Sequence, residues 1–152
     1  MGSGKTTIAQ LLAEDFIDMD YVIVERIGMP ILTFFAEAGE GAFREIESQV
    51  LEKLSQNEGV IATGGGIVTS DDNRRILSNA EAEIIYLKSD FDTLYQQISM
   101  DTTNVRPLFI DKSREELQEI FETRAPLYEE IATQIITISG KTPEEIIKEI
   151  RR

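Results

Sequence analysis

Two hydrophobic patterns alternate along the chain: apolar residues at helical spacing, and short apolar blocks. Ile8, Leu11 and Leu12 predict a helix over residues 6–14. "FIDMD" (16–20) follows as a short strand ending in carboxylates. Only Asp15 lies between them, too tight a join for a helix returning to a parallel strand, where loops take about 2–6 residues. Residues 30–38 read as a helix broken near Gly39. A stronger one spans 40–56, with Phe43, Ile46, Val50 and Leu54 on one face. Residues 60–63 form a short apolar strand running into Gly64-Gly65-Gly66. A helix over 71–78, capped by Ser70 or Asp71, precedes a strand at 83–87 and a helix at 90–98. Residues 100–111 have no clear period and read as a mobile loop carrying Arg106-Pro107. A long helix over 113–132, bent or broken at Pro126, leads to a last strand, "QIITI". Thr142 as N-cap and Pro143 at the first helical position open the final helix.

Alternating strands and helices imply an α/β fold: a parallel sheet with helices on both faces. Right-handed crossovers set the strand C-terminal ends along one edge, where ligands bind. "GSGKTT", "DMD" and "GGG" all fall on that edge.

With 152 residues, 41% of them hydrophobic, the chain suits one compact domain spanning 1–152. No cysteine or histidine is present, so thiolate metal sites, disulfides and His-based triads are excluded. No apolar run approaches the roughly 18 residues of a membrane span, and the polar N-terminus does not read as a signal peptide. A cytoplasmic monomer is the default expectation. The net charge of −13 argues against general binding to nucleic acid or anionic membranes. It also makes the position of each cation informative.

Gly2, Ser3, Gly4, Lys5, Thr6 and Thr7 form the second half of a phosphate-binding loop. Glycines bring backbone N–H groups close to phosphate, Lys5 reaches its oxygens, and Thr6 offers a hydroxyl to Mg²⁺. Asp18 and Asp20, two apart on a strand, would share a face and could hold Mg²⁺ through water or accept a proton. The alternative is a polar strand end with Asp20 as a helix cap. Arg44 and Glu47 stand three apart on one helix face, which also fits a surface ion pair. Three glycines at a strand end suit a substrate that touches backbone amides, or a flexible turn. Arg106 fits a lid arginine or a solvated charge, and Arg124 precedes the expected helix break.

Together, "MGSGKTT", "FIDMD", "GEGAFREIE", "VIATGGGIV", "RPLF" and "RAPLYEEIA" resemble the shikimate kinases, small P-loop kinases, in order and near-family spacing. The resemblance implies phosphorylation of the 3-hydroxyl of shikimate by ATP with Mg²⁺. It implies that Arg44 and Arg124 hold the shikimate carboxylate, and that Glu47 positions the arginine. Asp20 would bind hydroxyls and act as base, and Asp18 would support Mg²⁺ through water. Gly64, Gly65 and Gly66 would meet substrate through backbone, with Phe35 and Phe43 as pocket aromatics. Arg106 would be the lid arginine, the lid spanning about 100–111 and the substrate helices about 20–56. Lys141, Thr142 and Pro143 would line the adenine.

Ser99 stands where the family has an adenine-side arginine, and residues are missing at Glu14-Asp15. The family's sheet order is 2-3-1-4-5. Its first strand and the leading loop glycine are expected to lie before Met1, which would make Met1 an interior residue. The four remaining strands, near Phe16, Val60, Ile84 and Ile135, would then divide into two pairs. A related small-molecule kinase, such as a gluconate kinase, and a truncated inactive nucleotide-binding module are the alternatives.

Overall fold

A computed structural model describes residues 5–100 and 112–151. Helix α1 (Lys5–Leu12) leads to strand β1 (Ile17–Asp18), α2 (Met19–Ile27) and the long α3 (Ile31–Leu54). Strand β2 (Ile61–Ala62) passes into a 3-10 helix (Gly65–Thr69), followed by α4 (Asp71–Asn79) and β3 (Ile85–Lys88). Then come α5 (Phe91–Met100), α6 (Arg114–Ile131), β4 (Gln134–Thr137) and α7 (Pro143–Ile150).

The strands form two parallel pairs, β1 with β2 and β3 with β4. Among the described residues no strand joins the two pairs. Each pair anchors its own core. Met19, Ile23, Val50, Leu51 and Val68 lie at the centre of the first, between α2, α3 and the 3-10 helix. Ile8, Ile136, Ile138, Ile146 and Ile147 fill the second, joining α1 and α7 to β4.

Several local expectations change. α1 stops at Leu12, so residues 13–16 make a four-residue connection closed by Phe16 N–H donating to the Ala13 carbonyl. The join is therefore of ordinary length. β1 ends at Asp18, whose carboxylate caps α2 by accepting from the Asp20 N–H at 3.0 Å. Asp18 and Asp20 thus do not share a strand face: Asp18 is the cap and Asp20 lies in the first helical turn. α3 does change direction at Gly39, whose φ of 87° and ψ of 169° suit almost only glycine. α6 holds Pro126 without ending there, because Leu127, Tyr128 and Ile131 beyond it pack on the first core. Ser70 caps α4, and Thr142 and Pro143 open α7. No helix among the described residues is long and apolar enough to cross a membrane.

Candidate active site

Four elements converge beside the C-terminal ends of β1 and β2. The first turn of α2 supplies Asp20, α3 supplies Arg44 and Glu47, the segment after β2 supplies Gly64–Gly66, and α6 supplies Arg124. Arg44 and Glu47 are not a surface pair. Glu47 is 2% exposed, and both its carboxylate oxygens accept from Arg44 Nη1, at 3.1 and 3.2 Å. Arg44 Nη2 lies 3.5 Å from the exposed Glu40 carboxylate. Its buried Nε has no hydrogen-bond partner among the described residues. The Nε/Nη2 edge of a guanidinium matches a carboxylate with two parallel bonds. Glu47 holds Nη1 on the other side, which among the described residues leaves Nε unpartnered and Nη2 facing only Glu40. Phe43 lies beneath, its ring centroid 5.3 Å from Arg44 Cζ and 4.8 Å from that of Phe35.

Gly66, and to a lesser degree Gly64, is needed for space rather than for unusual dihedrals. None of the three glycines has a positive φ. A Cβ on Gly66 would lie 2.5 Å from Arg44 Nη2 and 2.7 Å from Nη1. One on Gly64 would come to 3.3 Å from Asp20 Oδ1 and 3.9 Å from Glu47 Oε2. The backbone of this segment therefore lies directly under the charged groups.

Arg124 is buried, 5% exposed, and burial lowers its pKa, with the neighbouring Tyr128 opposing the shift and Arg44 adding to it. Two guanidinium groups thus sit within electrostatic reach of each other, tempered by Glu40. Burial pushes the Glu47 carboxyl above its ordinary value. Arg44 and then Arg124 pull it down, while Asp20 pushes it further up. An anionic group placed between Arg44 and Arg124 would relieve the repulsion between the two guanidinium groups.

Tyr128 and Asn73, which the sequence reading does not single out, also enter the site. Tyr128 donates from its hydroxyl to the Gly65 carbonyl, tying α6 to the triple glycine. It lies one helical turn after Arg124, the spacing that could have flagged it. Asn73, fully buried on α4, donates to Glu47 Oε1 at 3.4 Å; nothing in its sequence context marks it.

On the nucleotide side, Lys5, Thr6 and Thr7 form the first turn of α1, which packs against β2 and α7. Lys141 pairs with Glu149 at 2.8 Å, and Thr142 accepts from the Glu145 N–H at 3.2 Å. Gly2, Ser3, Gly4 and Arg106 lie outside the described residues, as do residues 101–111 of the lid expected at about 100–111.

A family profile described as shikimate kinase matches residues 1–152. The chain belongs to the shikimate kinase family. It is 52% identical to the shikimate kinase of Streptococcus gordonii over 152 residues, covering 99% of this chain and 94% of that relative. It is 48% identical to the shikimate kinase of Lactococcus lactis subsp. cremoris strain MG1363, covering 99% and 91%. Among solved structures, shikimate kinase from Acinetobacter baumannii in complex with shikimate superposes with a TM-score of 0.90. That pair shares 32% identity, over 99% of this chain and 86% of the other. Shikimate kinase from Aquifex aeolicus gives 0.82 at 30% identity, covering 99% and 89%. The fold is thus that of the P-loop kinases, and the enzyme class is phosphotransferase. A gluconate-kinase-like alternative is not favoured.

Proposed function

We propose that this shikimate kinase transfers the γ-phosphoryl group of ATP to the 3-hydroxyl of shikimate, with Mg²⁺, and that the residues gathered above divide the work. The observation that carries the acceptor assignment is the Nε of Arg44, unpartnered among the described residues and buried beside a second buried arginine. A bidentate carboxylate suits the Nε/Nη2 edge of Arg44, and Arg124 supplies the second cation. Gly64, Gly65 and Gly66 let the ring approach the backbone, while Phe35 and Phe43 form its apolar wall.

With the carboxylate fixed, a hydroxyl is directed toward Asp20. Asp20 is exposed at the start of α2 and lies against Gly64. It accepts the hydroxyl proton as the new O–P bond forms and the bond to the leaving ADP breaks. Lys5 at the head of α1 neutralises the phosphates together with the helix N-terminus. Arg106 from the lid does so from the other side. Lys141, Thr142 and Pro143 line the base.

Thr6 and Asp18 are the residues that would hold Mg²⁺, Asp18 through water. The donor set fits: Mg²⁺ in kinases takes few protein ligands and keeps waters and phosphate oxygens. When bound, the ion neutralises charge on the transferring phosphoryl group.

The test is ADP release coupled to NADH oxidation, with MgATP, in the presence and absence of shikimate. Shikimate-dependent turnover that EDTA abolishes is expected. Absence of shikimate-dependent turnover refutes the reading. Arg44→Ala and Arg124→Ala should each weaken shikimate binding far more than ATP binding, and equal losses would refute their assignment.

A further inference from the structure

We propose that Asn73 is a positioning residue for the acceptor-carboxylate site, orienting Glu47 and, through it, the guanidinium of Arg44. This rests on the reading that Arg44 holds the carboxylate of shikimate.

Asn73 is 0% exposed near the start of α4, a helix whose other residues are exposed or half-buried. A buried side-chain amide is costly unless its donors and acceptor are met, and an apolar side chain would fill such a site more simply. Here the amide is met on both sides from α3. Oδ1 accepts from Ser48 Oγ at 2.6 Å, and Nδ2 donates to Glu47 Oε1 at 3.4 Å. The Asn73 backbone N–H donates to Ser70 Oγ at 3.3 Å, so the same residue completes the cap of its helix.

The amide orientation follows from the charge it faces. Turned the other way, Oδ1 would oppose a carboxylate oxygen, acceptor against acceptor. Asn73 therefore presents its N–H to Glu47, and Glu47 is held from two sides, by Asn73 and by Arg44 Nη1.

The contacts close into a ring. Gly66 lies under the Arg44 guanidinium, and its carbonyl accepts from Thr69 Oγ1 at 2.7 Å. Ser70 follows and joins Asn73, Asn73 joins Glu47, and Glu47 joins Arg44 above Gly66. Arg74, next to Asn73, donates to the Val68 carbonyl and pairs with Asp71, pinning the 3-10 helix to α4. A carboxylate freed on its Asn73 side would turn about its last bonds. Nη1, shared between both oxygens, would turn with it and re-aim the Nε/Nη2 edge.

Asn73→Asp tests this at constant size. The introduced carboxylate still accepts from Ser48 but no longer donates to Glu47. The shikimate KM should rise about tenfold near neutral pH, the effect of one hydrogen bond to a charged group, with the ATP KM unchanged.

A second readout separates aim from general damage. Glu47 is faced by Arg44 from its own helix, Asp20 from α2, Arg124 from α6 and neutral Asn73 from α4. In the variant, a proton shared by the two carboxyls remakes the bridge. The variant-to-wild-type KM ratio should therefore fall as pH drops from about 7.5 to about 6. Ser48→Ala, which loosens the amide without adding charge, should raise the shikimate KM by about threefold.

An unchanged shikimate KM in Asn73→Asp, a parallel rise in both KM values, or a pH-independent ratio would overturn the proposal. If Asn73→Asp does not accumulate folded, Ser48→Ala decides alone, an unchanged shikimate KM counting against it. Arg44→Ala measured alongside keeps the two levels apart. An unaffected shikimate KM there refutes the carboxylate reading itself. A raised one, with Asn73→Asp silent, refutes only the role of Asn73.

Discussion

Gly66→Ala measures how closely the backbone must approach the guanidinium of Arg44. The added methyl would lie 2.5 Å from Nη2, 2.7 Å from Nη1 and 2.8 Å from Cζ, where ordinary contact begins at 3.4 Å. The guanidinium must retreat by nearly an ångström, since what the methyl meets is the far end of a side chain and not backbone. The fold should therefore survive, and φ at Gly66 imposes no strain of its own. Retreat breaks the paired contacts of Nη1 with Glu47, at 3.1 and 3.2 Å, and displaces the guanidinium proposed to receive the acceptor. Hydrogen bonds to charged groups are worth about 1.5–3 kcal/mol, so the shikimate KM should rise by roughly tenfold to a hundredfold. The coupled ADP assay, run against shikimate at saturating ATP and then the reverse, reads this out. Gly64→Ala is the graded comparison. Its methyl meets Asp20 Oδ1 at 3.3 Å, a displacement of a few tenths of an ångström, and should affect kcat modestly more than KM. A Gly66→Ala enzyme with wild-type shikimate KM would refute the close-approach argument.

Asp20→Asn keeps the shape at Gly64 but removes the proposed base, and kcat should fall by about 10²–10⁴-fold, checked by single-turnover phosphate transfer. Glu47 carries a pH signature. Burial lifts its folded pKa above the free value of 4.5. The native state then binds its proton more tightly than the unfolded chain. The associated stability is fully present below pH 4.5 and is lost as pH rises through the folded pKa. Urea unfolding of wild type and Glu47→Gln should show the wild-type-minus-variant difference declining across that window. A flat or rising difference contradicts the assignment. Gly39→Ala meets no atom within 4 Å, so its cost is backbone strain alone. About 2 kcal/mol is expected, lowering Tm by roughly 4–8 °C in a calorimetric scan.

Much of this arrangement is written in local patterns. The break at Gly39, the caps at Ser70 and Thr142 and the four strand positions follow from periodicity and capping chemistry. The candidate site residues stand out as a set only through the order and spacing of the motifs, since Arg44, Glu47 and Arg124 lie inside helices with nothing local to mark them. What could not be read locally depends on tertiary neighbours. Whether Asp18 or Asp20 caps α2 turns on where β1 stops, and that is set by pairing with β2 rather than by residues 16–20. The 3-10 helix that begins within the glycines has no periodicity to announce it. Pro126 sits inside α6 because core packing beyond it outweighs a missing hydrogen bond. The Arg44–Glu47 pair reads as a surface pair until α4 covers it and Asn73 replaces water as its partner.

The ring that runs from Gly66 through Asn73 and Glu47 to Arg44 also limits how this enzyme could change its acceptor. Deleting Arg44 alone would leave Glu47 buried without its counter-ion, at a cost of about 3–5 kcal/mol. Neutralising Glu47 alone would release the arginine but leave it over a glycine chosen to make room for it. Filling the space at Gly66 alone collides with the arginine still present. A path toward an uncharged acceptor therefore crosses several impaired intermediates, and substitutions at these positions should be found together or not at all.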